Sequence, residues 1–425
     1  MKPQIISKEI VKPSSPTPSH LSCYQLSFLD QISPPVYNPL ILFYPTNERE
    51  TKLSDNLKLS KQLKQSLSQA LTDYYPLAGR VRDNSFVDCN DEGIPFVEAE
   101  VINCKLSQVI EHPEPDELRK LLPFELDQAK ELAAGVQFNI FACGGFAVGV
   151  CISHKLGDAL ATFTFINFWA AVSRGESGLV PPQFISATLF PPKNLSGYNP
   201  RIGITKENIA TKRLVFSTSA IEAIRAKYGK GAGLDNQRPP SRIEALTVFI
   251  WSRFMAATSA ESTPARKLNL ILHAVNLRAR MDPPLPDHSF GNYYRIAITV
   301  PFPGEDGSLI TSKMRESVSS IDEEYVQQLQ DGEDYLNFLN EEAEKFTKGE
   351  VEYLNFTSVC RFPLYEADFG WGKPIWVGSP SLTFGNLVVF IETASRDGIE
   401  ALIHLKKEDM ARFQEDKELL QFAAP

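Results

Sequence analysis

From Phe146 to Ser153, bulky Phe146, Val148, Val150 and Ile152 alternate with small Ala147, Gly149, Cys151 and Ser153, and no charge interrupts the run. Alternation at period two, with neither set charged, is the pattern of a buried strand with one bulky and one small face. Beyond Gly157 the spacing changes. Leu160, Phe163, Ile166, Phe168 and Trp169 recur at helical intervals, and Asp158 stands where that helix has its first residue or its cap. A segment of this kind requires a sheet with a helix following it, and it delivers His154 to the carboxyl end of the strand. Such corners are where α/β proteins present reactive side chains, because the core fixes the backbone on both sides. On these residues alone, His154 reads first as a satisfied or surface histidine and Asp158 as a helix cap. Their weight comes from the rest of the chain.

At 425 residues the chain is long for one core, and ordinary domain sizes imply two domains of roughly 200 residues each. A Pro-, Gly-, Asn- and Ser-rich stretch from Pro181 to Gly203 nearly bisects it. The expected division is an N-terminal domain over 1–192, a crossover linker at 193–209 and a C-terminal domain over 210–425. The net charge of −9 argues against binding nucleic acid through a broadly basic surface. Cysteines at 23, 89, 104, 143, 151 and 360 show neither paired nor metal-ligand spacing and read as reduced thiols in a reducing compartment. The N-terminus has no apolar signal core, and no uncharged apolar run approaches the roughly 20 residues that cross a bilayer. A cytoplasmic protein is expected, with no membrane partner.

In chain order, Val11–Pro18 reads as an extended lead-in, because three prolines forbid helix. Short strands are expected at Leu26–Asp30 and Leu40–Tyr44, and an amphipathic helix from Asn56, on Leu59, Leu63, Leu67 and Leu71. Strands at 86–89 and 95–101 follow, then a helical stretch over 104–123 interrupted by Pro113 and Pro115. A hairpin pairs 136–141 with 146–153 through Cys143-Gly144-Gly145. The second half predicts strands at 212–216, 268–275, 387–392 and 398–405. Its helices are expected at 219–228, after Ser241, across the acidic 308–348, and at 408–420. Ser241 and Glu244 form a capping box. Hairpins and helices mix in both halves, so the fold class is α/β with mixed sheets in two domains, not one doubly wound sheet.

The residues narrow the chemistry. His154 has no Ser or Cys nucleophile beside it: Gly-x-Ser-x-Gly is absent, and Cys151, three residues away on a strand, points to the opposite face. No second histidine stands at metal-ligand spacing, so no metal site is expected. Phosphate-cradling glycine loops are absent. A lone histidine of this kind suits proton removal.

His154-Lys155-Leu156-Gly157-Asp158, followed about two hundred residues later by Asp368-Phe369-Gly370-Trp371-Gly372, resembles the paired signature of the plant BAHD acyl-coenzyme A-dependent acyltransferases. Tyr75-Pro76-Leu77-Ala78-Gly79-Arg80 and the run from Asn276 to Pro286 are similar to further segments of that family, so the resemblance spans essentially the whole chain. Ser14–Pro18, Ile41–Pro45, Val87–Asp91 and Ala274–Arg278 resemble the branch that contains vinorine synthase and salutaridinol acetyltransferase, which mostly acetylates alkaloid hydroxyls. A peptide-synthetase condensation domain shares the histidine motif. It typically places a second histidine where this chain has Ser153, and it lacks the Asp-Phe-Gly-Trp-Gly partner.

The resemblance implies a two-domain fold of the chloramphenicol acetyltransferase type with an interdomain channel, and a monomer. Acyl-coenzyme A, with acetyl-coenzyme A expected, would be a cosubstrate rather than a resident cofactor, and a small-molecule alcohol the acceptor. His154 would be the general base. An alcohol is a poor nucleophile until its proton is taken, and a neutral imidazole with a pKa near 6.5 takes it at cytosolic pH. The thiolate then leaves far more easily than an alkoxide, so no acyl-enzyme is needed. Asp158 would turn away from the histidine and pair with Arg278 as an architect of the site. Asp368, Gly370, Trp371 and Gly372 would be structural, near the coenzyme mouth, and Ser241 and Arg242 are candidates for coenzyme contact. Many members read Thr-Ser-Trp where this chain has Thr357-Ser358-Val359. Thr357 remains an oxyanion candidate, but Val359 lacks a donor. Either backbone amides and Thr357 hold the oxyanion, or the pocket is enlarged for a bulkier group. The alternatives are a longer acyl donor acting on a sugar or naphthoquinone alcohol, and a non-catalytic small-molecule-binding scaffold of the same fold.

Overall fold

A computed structural model describes residues 1–45, 53–127, 131–195, 198–200, 204, 208–229, 238–258, 267–331 and 350–424. The chain forms two compact units. The first comprises Met1–Leu195, Leu285–Tyr293 and Phe362–Ser381; the second comprises Ser196–Pro284, Tyr294–Arg361 and Leu382–Pro425. The expected division into contiguous halves therefore needs correction. Asp368–Gly372, expected in the C-terminal domain, belongs to the first unit. The reason is a strand pairing: Trp376–Gly378 runs antiparallel to Tyr37–Tyr44, and the Trp376 ring stacks on Phe43 at 4.9 Å. Parts of the expected 193–209 linker, of the glycine-rich 229–233 stretch and of the acidic 308–348 region lie outside the described residues.

The first unit is built on a six-stranded mixed sheet in the order Pro3–Val11, Ile94–Val101, Ala134–Phe141, Phe146–Ser153, Tyr37–Tyr44, Trp376–Gly378. Ile94–Val101 and Ala134–Phe141 pair in parallel; the other neighbours are antiparallel. Ala134–Phe141 and Phe146–Ser153 are buried at every position, as their uncharged runs require. The bulky and small alternation of Phe146–Ser153 has a steric cause. A Cβ on Gly149 would lie 2.1 Å from the Leu121 carbonyl, so the small face of the strand accepts the segment carrying Leu121 directly against its backbone. Ala147 and Cys151, on that same face, join Leu106, Leu118 and Leu121 in one apolar cluster. Elsewhere in this unit the helices Leu53–Asp73 and Ala159–Ser173 pack together, with the Trp169 indole donating to Ser66 Oγ at 3.0 Å.

The second unit holds another six-stranded mixed sheet, ordered Tyr294–Thr299, Leu268–Asn276, Val351–Ser358, Leu387–Glu392, Gly398–Lys406, Ile209–Ser217. Its two parallel pairs flank Val351–Ser358. The helices Thr218–Tyr228, Arg242–Thr258, Gly307–Ser319 and Lys407–Phe413 contribute to its core with Phe249, Trp251, Phe254, Phe356 and Phe390.

Two local expectations are corrected. Leu26–Asp30 is not a strand: Phe28–Ile32 is a helix, because Ser27 and Asp30 close a capping box that outweighs the apolar run. The final helix is two, Lys407–Phe413 and Lys417–Phe422, since Asp416 caps a new start by accepting from Leu419 N at 2.8 Å. No helix among the described residues is long and apolar enough to cross a membrane.

Candidate active site

The strand Phe146–Ser153 ends at the predicted corner. Tyr37 lies opposite Ser153, and the His154 amide donates to the Val36 carbonyl at 2.8 Å, so the ladder fixes the backbone through the histidine itself. The chain then turns, with Leu156 N donating to Ser153 O at 2.9 Å, and the helix Ala159–Ser173 begins. Asp158 is its N-cap. One carboxylate oxygen accepts from Ala161 N at 2.9 Å and the other from Tyr293 N at 3.0 Å, which ties the helix start to the segment Leu285–Tyr293.

That segment also supplies the partner of the histidine. Asn292 Oδ1 lies 2.9 Å from His154 Nδ1. Its amide nitrogen donates to the His154 carbonyl at 2.7 Å and to Asp30 Oδ1 at 2.8 Å, and its backbone N–H donates to the same oxygen at 3.0 Å. Asp30 Oδ2 accepts from Ser27 N at 2.9 Å and Ser27 Oγ at 2.7 Å. Asp30 and Asn292 are both fully buried. Burial raises the Asp30 pKa, while the donors from Ser27 and Asn292 oppose the rise. Burial likewise lowers the pKa of His154, against the opposing pull of its own carbonyl, of Asp158 and of Asn292. The ring is therefore held neutral to lower pH than a free histidine, which is the form a base needs.

Lys155 closes the assembly from below. Its side chain is buried, and Nζ donates to the Gln31 carbonyl at 2.8 Å, at the C-terminal end of the short helix that carries Asp30. Desolvation pushes its pKa down to about 7, with the Asp30 charge opposing.

The glycine motif sits elsewhere in the unit. Asp368 Oδ1 accepts from Gly370 N at 2.8 Å and Gly372 N at 2.9 Å, where φ angles of 108° and 106° favour glycine. Burial pushes the Asp368 pKa up, and these amides together with the Arg174 charge and the Trp371 amide more than offset it, so the carboxyl is held low. Trp371 packs on Phe146 with ring centroids 5.4 Å apart. Phe146 opens the strand that His154 follows, so at ~3.4 Å per residue the ring Trp371 packs on is about 27 Å along the strand from the histidine.

The other candidates lie in the second unit. Arg278 is buried, with its backbone N–H donating to Asn276 Oδ1 at 3.0 Å. Ser241 and Glu244 form the predicted capping box, and Arg242 pairs with Glu392 at 2.9 Å. A cavity of about 190 Å³ is lined by Ile243, His273, Val275, Phe356, Thr357 and Ser358, so Thr357 and the residue after Arg242 face one space. Burial drives the His273 pKa down to about 4, and its Nε2 lies 3.2 Å from Thr247 Oγ1. Among the described residues no group of three or more His, Cys, Asp or Glu is arranged to hold a metal ion.

The sequence reading did not find Asp30 or Asn292. A signal for each was present, in the Ser27/Asp30 capping box and in the polar Asn292 that follows Phe290-Gly291, but nothing in their spacing links them to His154.

Two mixed six-stranded sheets and a half-buried histidine at a strand-to-helix corner make an α/β protein of two units, with the lone base that a group-transfer enzyme needs. The chain matches the Transferase family over residues 1–420, and it belongs to that family, the BAHD acyltransferases; it is an acyltransferase. It is similar to stemmadenine O-acetyltransferase of Catharanthus roseus, at 39% identity covering 97% of this chain and 96% of the relative. Limonoid 21-O-acetyltransferase of Melia azedarach is 37% identical, with 100% and 99% covered. Vinorine synthase of Rauvolfia serpentina is 37% identical, with 97% and 96% covered. The solved structure of vinorine synthase superposes with a TM-score of 0.85 at 35% identity, covering 99% of this chain and 98% of that one. F. sporotrichioides TRI101, complexed with coenzyme A and T-2, shares the fold, with a TM-score of 0.77 at 19% identity over 94% of this chain and 99% of that one.

Proposed function

We propose that the protein transfers an acetyl group from acetyl-coenzyme A to a hydroxyl of a polycyclic plant specialised metabolite, an alkaloid first and a limonoid second. The observation that carries this reading is the run of full-length relatives named as O-acetyltransferases, with stemmadenine at 39% identity and limonoid at 37%. His154 takes the hydroxyl proton as the oxygen attacks the thioester carbonyl, and the coenzyme thiolate then departs with no covalent enzyme intermediate. The buried corner and the lowered pKa of the ring support that role. The resemblance carries the remaining assignments. Asp158 pairs with Arg278 to hold the site, Thr357 donates to the oxyanion, and Ser241 and Arg242 stand near the coenzyme. Asp368, Gly370, Trp371 and Gly372 are structural, a reading supported by their distance along the strand from His154. The cavity beside Thr357 and Ile243 supports placing part of the acyl-coenzyme A there. The protein works as a cytoplasmic monomer in this reading.

The test is to mix purified protein, acetyl-coenzyme A and a panel of alkaloid and limonoid alcohols, following thiol release and product mass. Acetyl esters of at least one polycyclic alcohol are expected. Turnover only with longer acyl donors on sugars or naphthoquinones would replace this reading, and no ester with any pair would end it.

A further inference from the structure

Asn292 has one amide oxygen and one amide nitrogen, and its surroundings decide which points where. The nitrogen faces two groups that accept, the His154 carbonyl at 2.7 Å and Asp30 Oδ1 at 2.8 Å. A flipped amide would set its oxygen against both acceptors and lose both bonds. The oxygen is therefore the atom that meets His154 Nδ1 at 2.9 Å, and an oxygen there requires a proton on Nδ1. Asp30 in turn receives only donors: the backbone and side-chain N–H groups of Asn292, and the backbone N–H and hydroxyl of Ser27, with the Ser186 hydroxyl at 3.4 Å. That shell fits a carboxylate. We infer that Asn292, clamped by Asp30, is the positioning residue that keeps the His154 proton on Nδ1 and its lone pair on Nε2.

The clamp does more than select a tautomer. Carboxylate, amide and imidazole form one aligned chain of dipoles, so the positive charge that develops when Nε2 takes a proton meets an oriented carbonyl backed by a buried anion. The short helix carrying Asp30 is itself tied to the histidine loop by Lys155 Nζ on the Gln31 carbonyl at 2.8 Å. This deepens the general-base reading and rests on it for its kinetic consequence, although the tautomer itself does not.

The wild-type enzyme, labelled with ¹⁵N-histidine, answers the structural half without turnover. Comparing its spectrum with that of His154→Ala assigns the ring. The expected result is a protonated Nδ1 and an unprotonated Nε2 above the ring's pKa; the opposite tautomer overturns the inference whatever the activity. If Nδ1 is protonated but no alcohol is ever acylated, the general-base reading fails and the clamp stands. Two variants test the consequence. Asn292→Ala is expected to lose the fixed tautomer and to lower kcat by roughly 10²-fold or more, with the acyl-coenzyme A KM within about threefold. Asn292→Asp keeps an oxygen opposite Nδ1 and sets its other oxygen against Asp30 Oδ1, where the amide nitrogen donated at 2.8 Å, so the two buried carboxyls share a proton. That pair carries the single negative charge Asp30 carried before, so Asn292→Asp is expected to keep the proton on Nδ1 in the ¹⁵N spectrum. Full activity and an unaltered tautomer in Asn292→Ala would overturn the assignment, as would loss of the Nδ1 proton in a folded Asn292→Asp.

Discussion

Asp158→Ala tests whether this carboxylate is an architect of the site, and the bonds it makes set the scale. One oxygen caps the helix Ala159–Ser173 through Ala161 N at 2.9 Å; loss of an aspartate N-cap costs about 1 kcal/mol. The other accepts from Tyr293 N at 3.0 Å, and both residues are buried, so the orphaned N–H costs about 1–3 kcal/mol more. The sum, roughly 2–4 kcal/mol, corresponds to a melting point lower by about 5–15 °C for a folding unit of roughly 200 residues. Asp158→Asn retains one acceptor oxygen but turns its amide nitrogen toward one of the two N–H groups, so it should recover about half of the loss. Calorimetry and urea unfolding of the three proteins at pH 7 read these differences directly. An Asp158→Ala melting point within about 1 °C of wild type would refute the double-cap account. A loss above ~5 kcal/mol would mean that a buried countercharge has been orphaned as well, which is what the proposed Arg278 pairing requires.

Replacing His154 with alanine should cut kcat by roughly 10²–10⁴-fold while leaving the thermal transition nearly in place; ester formation at an unreduced rate would remove it from the chemistry. Because burial lowers its pKa and the base must be neutral, the acidic limb of kcat/KM should fall below about 6.5, and a limb at higher pH would contradict the burial. Lys155→Met removes a buried amine whose folded pKa, about 7, lies below its unfolded value. The unfolded chain then binds more protons between about pH 7 and 10, so wild type should gain stability relative to the variant as pH rises through that window. A wild-type stability that falls relative to that of the variant across the window would refute the lowered pKa. Gly372→Ala introduces a Cβ into open space but at φ 106°, so only backbone strain of ~1–3 kcal/mol is expected, with kcat retained. A collapse of kcat in the folded variant would assign the motif a direct catalytic part.

Elements were legible where one physical demand set the residue pattern. Phe146–Ser153 could be read because close approach of the Leu121 backbone forces small residues on one face while the core requires bulky ones on the other. The helix Leu53–Asp73 announced itself through Leu59, Leu63, Leu67 and Leu71, of which Leu63, Leu67 and Leu71 are fully buried. Pro3–Val11 was missed because it is an edge strand with a register shift between Ile5 and Ser7, and Ile5, Ile6 and Ile10 are exposed rather than alternating into a core. Phe28–Ile32 was misread because five residues are too few to show a helical period. Only its cap distinguished it from a strand.

The site divides along the same line. His154 and Asp158 sit on one local segment whose strand, turn and helix each leave a mark in the sequence, and so both were found. Asp30 and Asn292 stand 262 residues apart and meet only because the capped turn of Phe28–Ile32 and the excursion Leu285–Tyr293 are both held within the first unit. Hydrogen-bond geometry joins them, and an aspartate in a capping box looks the same in sequence whether its far oxygen meets water or a buried amide. A carboxylate three residues after a serine therefore predicts a helix start, and the fold alone decides whether that helix start also holds the amide that holds the base.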